Sequence, residues 1–432
     1  MSALARYFNG RGAEVYGYDK TETTLTKTLV GEGMKIHYYE AVDEIPENID
    51  LVIYTPAVPS THAELQYFIQ HHYPVKKRAE VLGMISRDMK TVAVAGTHGK
   101  TTTSSMVTHL LRTGGVDCTA FLGGIAQNYR SNFVEGQSDW VVVEADEYDR
   151  SFLHLAPDLA VILSMDADHL DIYGDHGQLH ETGFKAFAKK LKPGGTLWVQ
   201  ADWIHEIPEA VGSFGVEKGT YRAEHIRVVD GFFVFDFCGP GGDLKGLRLS
   251  MAGRHNVENA TAAIIIALQL GVEEAAIREG LVSFKGIQRR FEVIHRGSKV
   301  VYIDDYAHHP TELKAAISAA RELFPGRKIT GAFQPHLYSR TRDFADGFAE
   351  ALSALDEVLL LDIYPAREEP IPGVTSEIIF EKISGAQKRK VTLDQFMNCL
   401  PGLELDILLT LGAGDINTLV RPIKQWLEKE NE

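Results

Sequence analysis

The sequence predicts an α/β protein of three consecutive units, and three observations predict it. The first is length: 432 residues exceed what one ordinary core serves, and usual domain sizes give about two to four domains. The second is rhythm, because short apolar strand-like runs alternate with helix-like runs from end to end, as in βαβ units. The third is the run TVAVAGTHGKTTTSSMVTHLL at 91–111, where a doubly buried strand turns through glycines into a helix.

Residues 1–88 read as one parallel α/β unit of Rossmann-like type, through SALARYFNGRG, EVYGYD, LVIYTPAVP and VKKRAEVLGMI. A doubly wound domain begins with a strand, whereas this chain opens inside a helix, so a first strand is expected to be missing. Residues 89–293 form the second unit, with strands TVAVAGT, WVVVEAD and LAVILSM each running into a polar loop. Within it, 212–249 carries the turn Pro240-Gly241-Gly242 between alternating β-type residues, which predicts a small antiparallel patch. Residues 294–432 repeat strand and helix through VVYIDDY, KITGAFQ, EVLLLDIY and ILLTLGAGD. That pattern predicts another Rossmann-like domain with its loops at the carboxyl ends of the strands.

Hydrophobic residues at 44% and charged residues at 24% fit a globular protein with several cores. A formal charge of −15 argues against nucleic acid or an anionic membrane as the main partner, since both require a basic footprint. Cys118, Cys238 and Cys399 are far apart and lack metal-ligand spacing, which suits a reducing compartment. No run reaches the ~18–20 apolar residues of a membrane span, and the first residues lack the regions of a secretion signal. A cytoplasmic protein is expected.

The strongest chemical signal is Gly96-Thr97-His98-Gly99-Lys100-Thr101-Thr102. Glycines let the backbone wrap phosphate oxygens, the following helix offers unpaired N–H groups, and Lys100 supplies a positive charge. Thr101 offers a hydroxyl to Mg²⁺. The spacing is shorter than the general phosphate-loop pattern, so this is a variant loop. Downstream, WVVVEADEYD ends a buried strand in a burst of carboxylates, of which Glu144 is the candidate Mg²⁺ ligand; the competing reading is a solvated loop. A third strand ends in Ser164-Met165-Asp166-Ala167-Asp168-His169. On chemistry alone His169 reads first as a core histidine, because imidazole is an unusual partner for Mg²⁺.

Together GTHGKTTT, EADEYDRSF and DADHLD resemble the central ATP domain of the Mur ligases of bacterial cell-wall synthesis, and the resemblance covers nearly the whole chain. It implies a three-domain architecture in which Lys100 and Thr101 hold ATP and Mg²⁺, Glu144 holds a first metal, and His169 serves a second. Gly253-Arg254-His255-Asn256-Val257-Glu258-Asn259 is similar to the family's G-x-H-N-x-x-N segment, whose first asparagine, here Asn256, lies near adenine. Arg289-Arg290-Phe291-Glu292 resembles the hinge into the last domain, with Arg290 taken to face the nucleotide, and Asp304 opens the DDYAHHP segment of that domain. A helix cap and a solvated hinge remain alternative readings of these two segments.

Within the family, FQPHLYSRT at 333–341 and DIYPARE at 362–368 are most similar to the member that joins L-alanine to UDP-N-acetylmuramate. His336 and Arg340 are then expected to face the amino acid, whose carboxylate an arginine fork suits. Leu337 departs from the arginine many members carry there. The family's opening loop G-x-G-G-x-G-M-S is represented only by Met1-Ser2, which leaves Asp19 and Thr55 as candidate contacts to UDP. The implied reaction activates the lactyl carboxylate as an acyl phosphate, which the amine of L-alanine attacks, with His336 to orient or deprotonate it, in a monomer or homodimer. The alternatives are the recycling ligase that attaches the tripeptide L-Ala-γ-D-Glu-diaminopimelate, a folate polyglutamate ligase, which fits poorly at EADEYD and HLYSRT, and a scaffold that binds ATP without ligation.

Overall fold

Strands apolar on both faces carry the architecture. The computed structural model describes residues 1–166, 179–366 and 368–430. Contacts divide the chain into two compact units, Met1–Arg222 with Cys238–Asp243 and Asn259–Leu281, and Ala223–Phe237 with Leu244–Glu258 and Val282–Glu432.

In the first unit, β1 (Tyr16–Tyr18) pairs in parallel with β2 (Lys35–His37), and β3 (Val52–Tyr54) with β4 (Val75–Lys77). The two ladders form separate sheets among the described residues, where the sequence predicts one. Each strand is only three residues long and at best half-buried, so each contributes few ladder bonds. The main sheet is built from β5 (Lys90–Ala95), β6 (Thr119–Ala126), β7 (Ser131–Val134), β8 (Trp140–Ala145), β9 (Leu159–Ile162), β10 (Thr196–Gln200) and β11 (Gly212–Val216). Their order across it is β11–β10–β9–β5–β8–β6–β7. The centre is a run of Val and Ala: Val92, Ala93, Val94, Ala95, Val141, Val142 and Val143 are all 0% exposed. Helix Lys100–Thr113 packs on β5, β6 and β8, helping to give the covered faces that a parallel sheet requires. Register aligns the strand ends, since Ala95 pairs with Ala145 on β8 and with Ile162 on β9. The three loops leaving these strands therefore start side by side.

In the second unit, β12 (Tyr221–Val229) leads through Asp230 and Gly231, both at positive φ (52° and 78°), into β13 (Phe232–Cys238). Two such residues are what a tight hairpin requires. β13 pairs antiparallel with β14 (Leu244–Leu249). The antiparallel patch thus starts near Tyr221 and not at Gly212, because β11 extends the main sheet in parallel with β10. A further sheet contains β15 (Glu292–Arg296), β16 (Val301–Asp305), β17 (Ile329–Phe333), β18 (Glu357–Leu360), β19 (Gln387–Lys390) and β20 (Ile407–Leu411). Its order is β15–β16–β20–β17–β18–β19. All pairs are parallel except β15 with β16. Asp305 and Phe333 both pair with Leu411, and Phe333 with Leu360, so four loops again leave from one edge. Among the described residues no helix is long and apolar enough to cross a membrane.

Candidate active site

The loop after β5 needs its glycines. Gly96 has φ 140° and a Cβ there would lie 2.9 Å from the Ser164 nitrogen; Gly99 has φ 81° and its Cβ would lie 2.6 Å from Asn259 Oδ1. Only glycine fits both the dihedral and the space. Gly99 is the N-cap of helix Lys100–Thr113 and no side chain caps that end, which leaves first-turn N–H groups facing outward for an anion. Ser164 Oγ accepts the His98 N–H at 2.9 Å and meets Thr97 Oγ1 at 2.9 Å, while Thr97 Oγ1 accepts the Asp166 N–H at 3.1 Å. The His98 ring lies 3.6 Å from the Asp166 carboxylate. Thr97 and His98 therefore dock the loop onto the segment after β9. Thr102 is 6% exposed, so what it offers a ligand is its backbone.

Lys100 donates to the Gly96 carbonyl at 2.7 Å and to both carboxylate oxygens of Glu147, at 2.9 and 2.7 Å. Burial opposes its charge, but Glu147, Asp146 and Glu144 more than offset that, and its pKa lies above the ordinary value. Glu144, next to last in β8, accepts the Gly123 N–H at 2.9 Å and hydrogen-bonds the Thr101 hydroxyl. Burial pushes its pKa up, and Lys100 pulls against that. His169 lies outside the described residues.

The G-x-H-N-x-x-N segment holds its two asparagines in different surroundings. Asn256 is 2% exposed and its amide donates to the Ala252 carbonyl at 2.7 Å. It is Asn259, one helical turn on, whose side chain touches the loop at Gly99. The arginine pair divides too. Arg289, at φ 62°, turns inward, where Nε donates to Asp304 at 3.0 Å and Nη2 to the Gly412 carbonyl at 2.6 Å. Asp304 is 0% exposed and its other oxygen accepts from Thr410 at 2.6 Å, so both its oxygens have protein partners. Arg290 lies over the Tyr306 ring at 5.1 Å and 3.7 Å from Glu312. Asp305 accepts the Phe291 and Ala307 N–H groups at 2.6 and 2.7 Å, and burial pushes its pKa up to about 6.

His336 and Arg340 meet at the edge where β17 and β18 end. The His336 ring stacks on Tyr364 at 5.8 Å and 20°, and lies 6.0 Å from the His308 ring. Its buried Nδ1 has no hydrogen-bond partner among the described residues. Burial, with His308 and Arg340 adding positive charge, pushes its pKa down to about 4, so the ring is neutral near pH 7. Helix Tyr338–Asp343 carries Arg340, and Glu368 anchors its start by accepting the Ser339 N–H at 2.9 Å and the Ser339 hydroxyl. Leu337, at φ 70°, enters that helix with its N–H on the Tyr364 carbonyl at 2.9 Å. Arg367 lies outside the described residues. Asp19 accepts the Thr21 N–H and Thr55 the Ala57 N–H, both just past short strands of the first unit.

Sequence reasoning missed Glu147, Asn259, Ser164 and Glu368. The spacing of three between Asn256 and Asn259, one turn of helix, was the available signal for Asn259. Nothing in EADEYD distinguishes Glu147 from its neighbours.

Three family models match consecutive parts of the chain: Mur ligase family, catalytic domain, at residues 1–90; Mur ligase middle domain at 94–267; and Mur ligase, glutamate ligase domain, at 289–414. The UDP-N-acetylmuramate--L-alanine ligase of Cytophaga hutchinsonii is 47% identical over 442 residues, covering 99% of this chain and 95% of the relative. That of Flavobacterium johnsoniae is 48% identical over 434 residues, covering 99% and 96%. The crystal structure of UDP-N-acetylmuramate-alanine ligase MurC from Thermotoga maritima superposes with a TM-score of 0.85 at 29% identity, covering 100% of this chain and 97% of that one.

Proposed function

The chain belongs to the Mur ligase family, and on that premise we propose that it joins L-alanine to the lactyl carboxylate of UDP-N-acetylmuramate, converting ATP to ADP and phosphate. The observation that carries this reading is likeness along almost the entire chain to relatives that bear the name of that activity. On this reading residues 1–88 serve the sugar nucleotide, 89–293 ATP and 294–432 the amino acid. On this reading the reaction belongs to peptidoglycan biosynthesis and the protein works in the cytoplasm, as monomer or homodimer.

The geometry supports a division of labour. The loop Gly96–Thr102 and the uncapped helix start receive the phosphates, with Lys100 neutralising charge as the γ-phosphoryl passes to the substrate carboxylate. Thr101 and Glu144 share a hydrogen bond and supply hard oxygen donors of the kind Mg²⁺ prefers. On this reading the ion takes its remaining ligands from phosphate and water. Bound there, Mg²⁺ would neutralise phosphate charge. His169 would serve a second ion. Arg340 clamps the alanine carboxylate, and the neutral His336 ring is an acceptor for a proton of the attacking amine.

Phosphate release measured with ATP, Mg²⁺ and UDP-N-acetylmuramate, adding L-alanine, D-glutamate or L-Ala-γ-D-Glu-diaminopimelate separately, tests the reading. Dependence on L-alanine is expected. Dependence on the tripeptide would move the chain to the recycling activity, and dependence on D-glutamate to a later addition step.

A further inference from the structure

We propose that Glu147 is a positioning residue for Lys100: it holds the ammonium against the loop before ATP arrives and gives up one of its two contacts when phosphate binds. The proposal rests on the reading that Lys100 meets phosphate.

A lysine ammonium has three N–H donors. Here all three have protein acceptors, namely the Gly96 carbonyl at 2.7 Å and the two oxygens of Glu147 at 2.9 and 2.7 Å; the next acceptor, the Thr97 carbonyl, is at 3.5 Å. A phosphate oxygen can engage Lys100 only by displacing one of the three. The Gly96 carbonyl is fixed by the backbone of a loop docked through Ser164. Complete separation would take the Lys100 charge away from a carboxylate that is 0% exposed, a costly change for a buried acid. The change that conserves most is a shift of Glu147 from two contacts to one, which frees a single donor already aimed by the other two.

The chain takes trouble to put Glu147 there. Asp149 and Arg150, neither of them glycine, both adopt positive φ, 52° and 55°, and such strain persists only where the surroundings enforce it. They are enforced from both sides. Arg150 donates its N–H to the Glu147 carbonyl at 3.0 Å and Phe152 to the Asp146 carbonyl at 2.9 Å. Phe152, 0% exposed, stacks on Phe187 at 5.0 Å and 6°. The turn brings the chain after Glu147 back onto the Asp146 and Glu147 carbonyls and so pins the backbone that carries this side chain.

Glu147→Gln tests this, because the amide replaces one of the two acceptor atoms with an NH2 donor and removes the negative charge. Binding of a non-hydrolysable ATP analogue with Mg²⁺ is measured by calorimetry and turnover by phosphate release. The analogue is expected to bind about tenfold tighter, since less competes for the donor, while kcat falls about tenfold because the ammonium is no longer held. In a Lys100→Met background the same change should shift affinity less than about twofold. Unchanged or weaker analogue binding in Glu147→Gln, or equal tightening without the lysine, overturns the proposal. If Glu147→Gln does not fold, Glu147→Asp takes its place: its shorter arm holds the carboxylate back from the ammonium, and about threefold tighter binding is expected, with unchanged or weaker binding again overturning it. Failure of the wild-type chain to bind the analogue would instead sink the underlying reading of the loop.

Discussion

The phosphate loop and the histidine–arginine segment are both built where parallel strands end, yet they treat their polar groups in opposite ways. In the loop, Thr97, His98 and Lys100 hydrogen-bond protein atoms, and two glycines sit where any side chain would collide. In the histidine–arginine segment, His336 keeps a buried nitrogen without a partner among the described residues and is held neutral by its surroundings. The side chains of the first region are tied to the protein; the second keeps one ring nitrogen without a protein partner among the described residues. Rigidity in the loop suits a transfer that depends on alignment, and on the proposed reading the His336 nitrogen is left for the amino-acid substrate.

Substitutions can break or sharpen that contrast. Lys100→Ala should have the largest effect, lowering ADP formation by at least about a thousandfold, and near-normal turnover would remove the loop from the mechanism. Gly99→Ala comes next: a Cβ 2.6 Å from Asn259 Oδ1 at φ 81° should cut kcat/KM for ATP by about 10- to 100-fold and lower the melting temperature. If it does neither, the loop is softer than its contacts suggest. Arg340→Lys should raise KM for L-alanine by about tenfold and leave KM for ATP within about twofold, because a point charge replaces a fork; equal movement of both constants would show that the two regions do not act separately.

His336→Gln addresses pH. The folded pKa near 4 lies below the ordinary histidine value of 6.5, so between these values the unfolded chain takes up a proton that the folded chain refuses. Stability is therefore fully present above pH 6.5 and declines as pH falls toward 4, by about 1–3 kcal/mol. The variant's melting temperature should fall less than the wild type's over that interval, and parallel curves would contradict the assigned burial. Asp305, pushed up to about 6, acts with the opposite sign in both proteins, so it cancels in the difference. Arg150→Gly should have the smallest effect, a rise in stability of about 0.5–1 kcal/mol from relieved strain, read by thermal melting.

How much of the molecule was legible depends on the locality of the signal. The loop was readable because strand, glycines, lysine and helix all lie within residues 91–111, and the parallel register of β5 with β8 sets Glu144 at the same edge. Arg289 and Arg290 were not separable, since a positive φ at Arg289 turns the earlier side chain inward, and nothing in two identical neighbours says which one turns. Glu147 depends on two left-handed residues that are aspartate and arginine, types for which the sequence offers no such expectation. His336, Tyr364 and Glu368 converge from loops that leave different strands, so their stacking and capping are products of register between β17 and β18 and cannot be read from spacing.

Ser164 carries a consequence for time-resolved work. Its hydroxyl already accepts the His98 amide, and the Ser164 carbonyl accepts the Thr97 amide at 3.2 Å, so these loop hydrogens are shielded from solvent deuterium before any nucleotide is added. An isotope-labelling footprint of ATP should therefore be faint over Thr97 and His98 and strong over the first turn of helix Lys100–Thr113, where the amides have no side-chain cap. Slow exchange at Thr97 and His98 then follows from hydrogen bonds within the protein and is not by itself a sign of bound nucleotide.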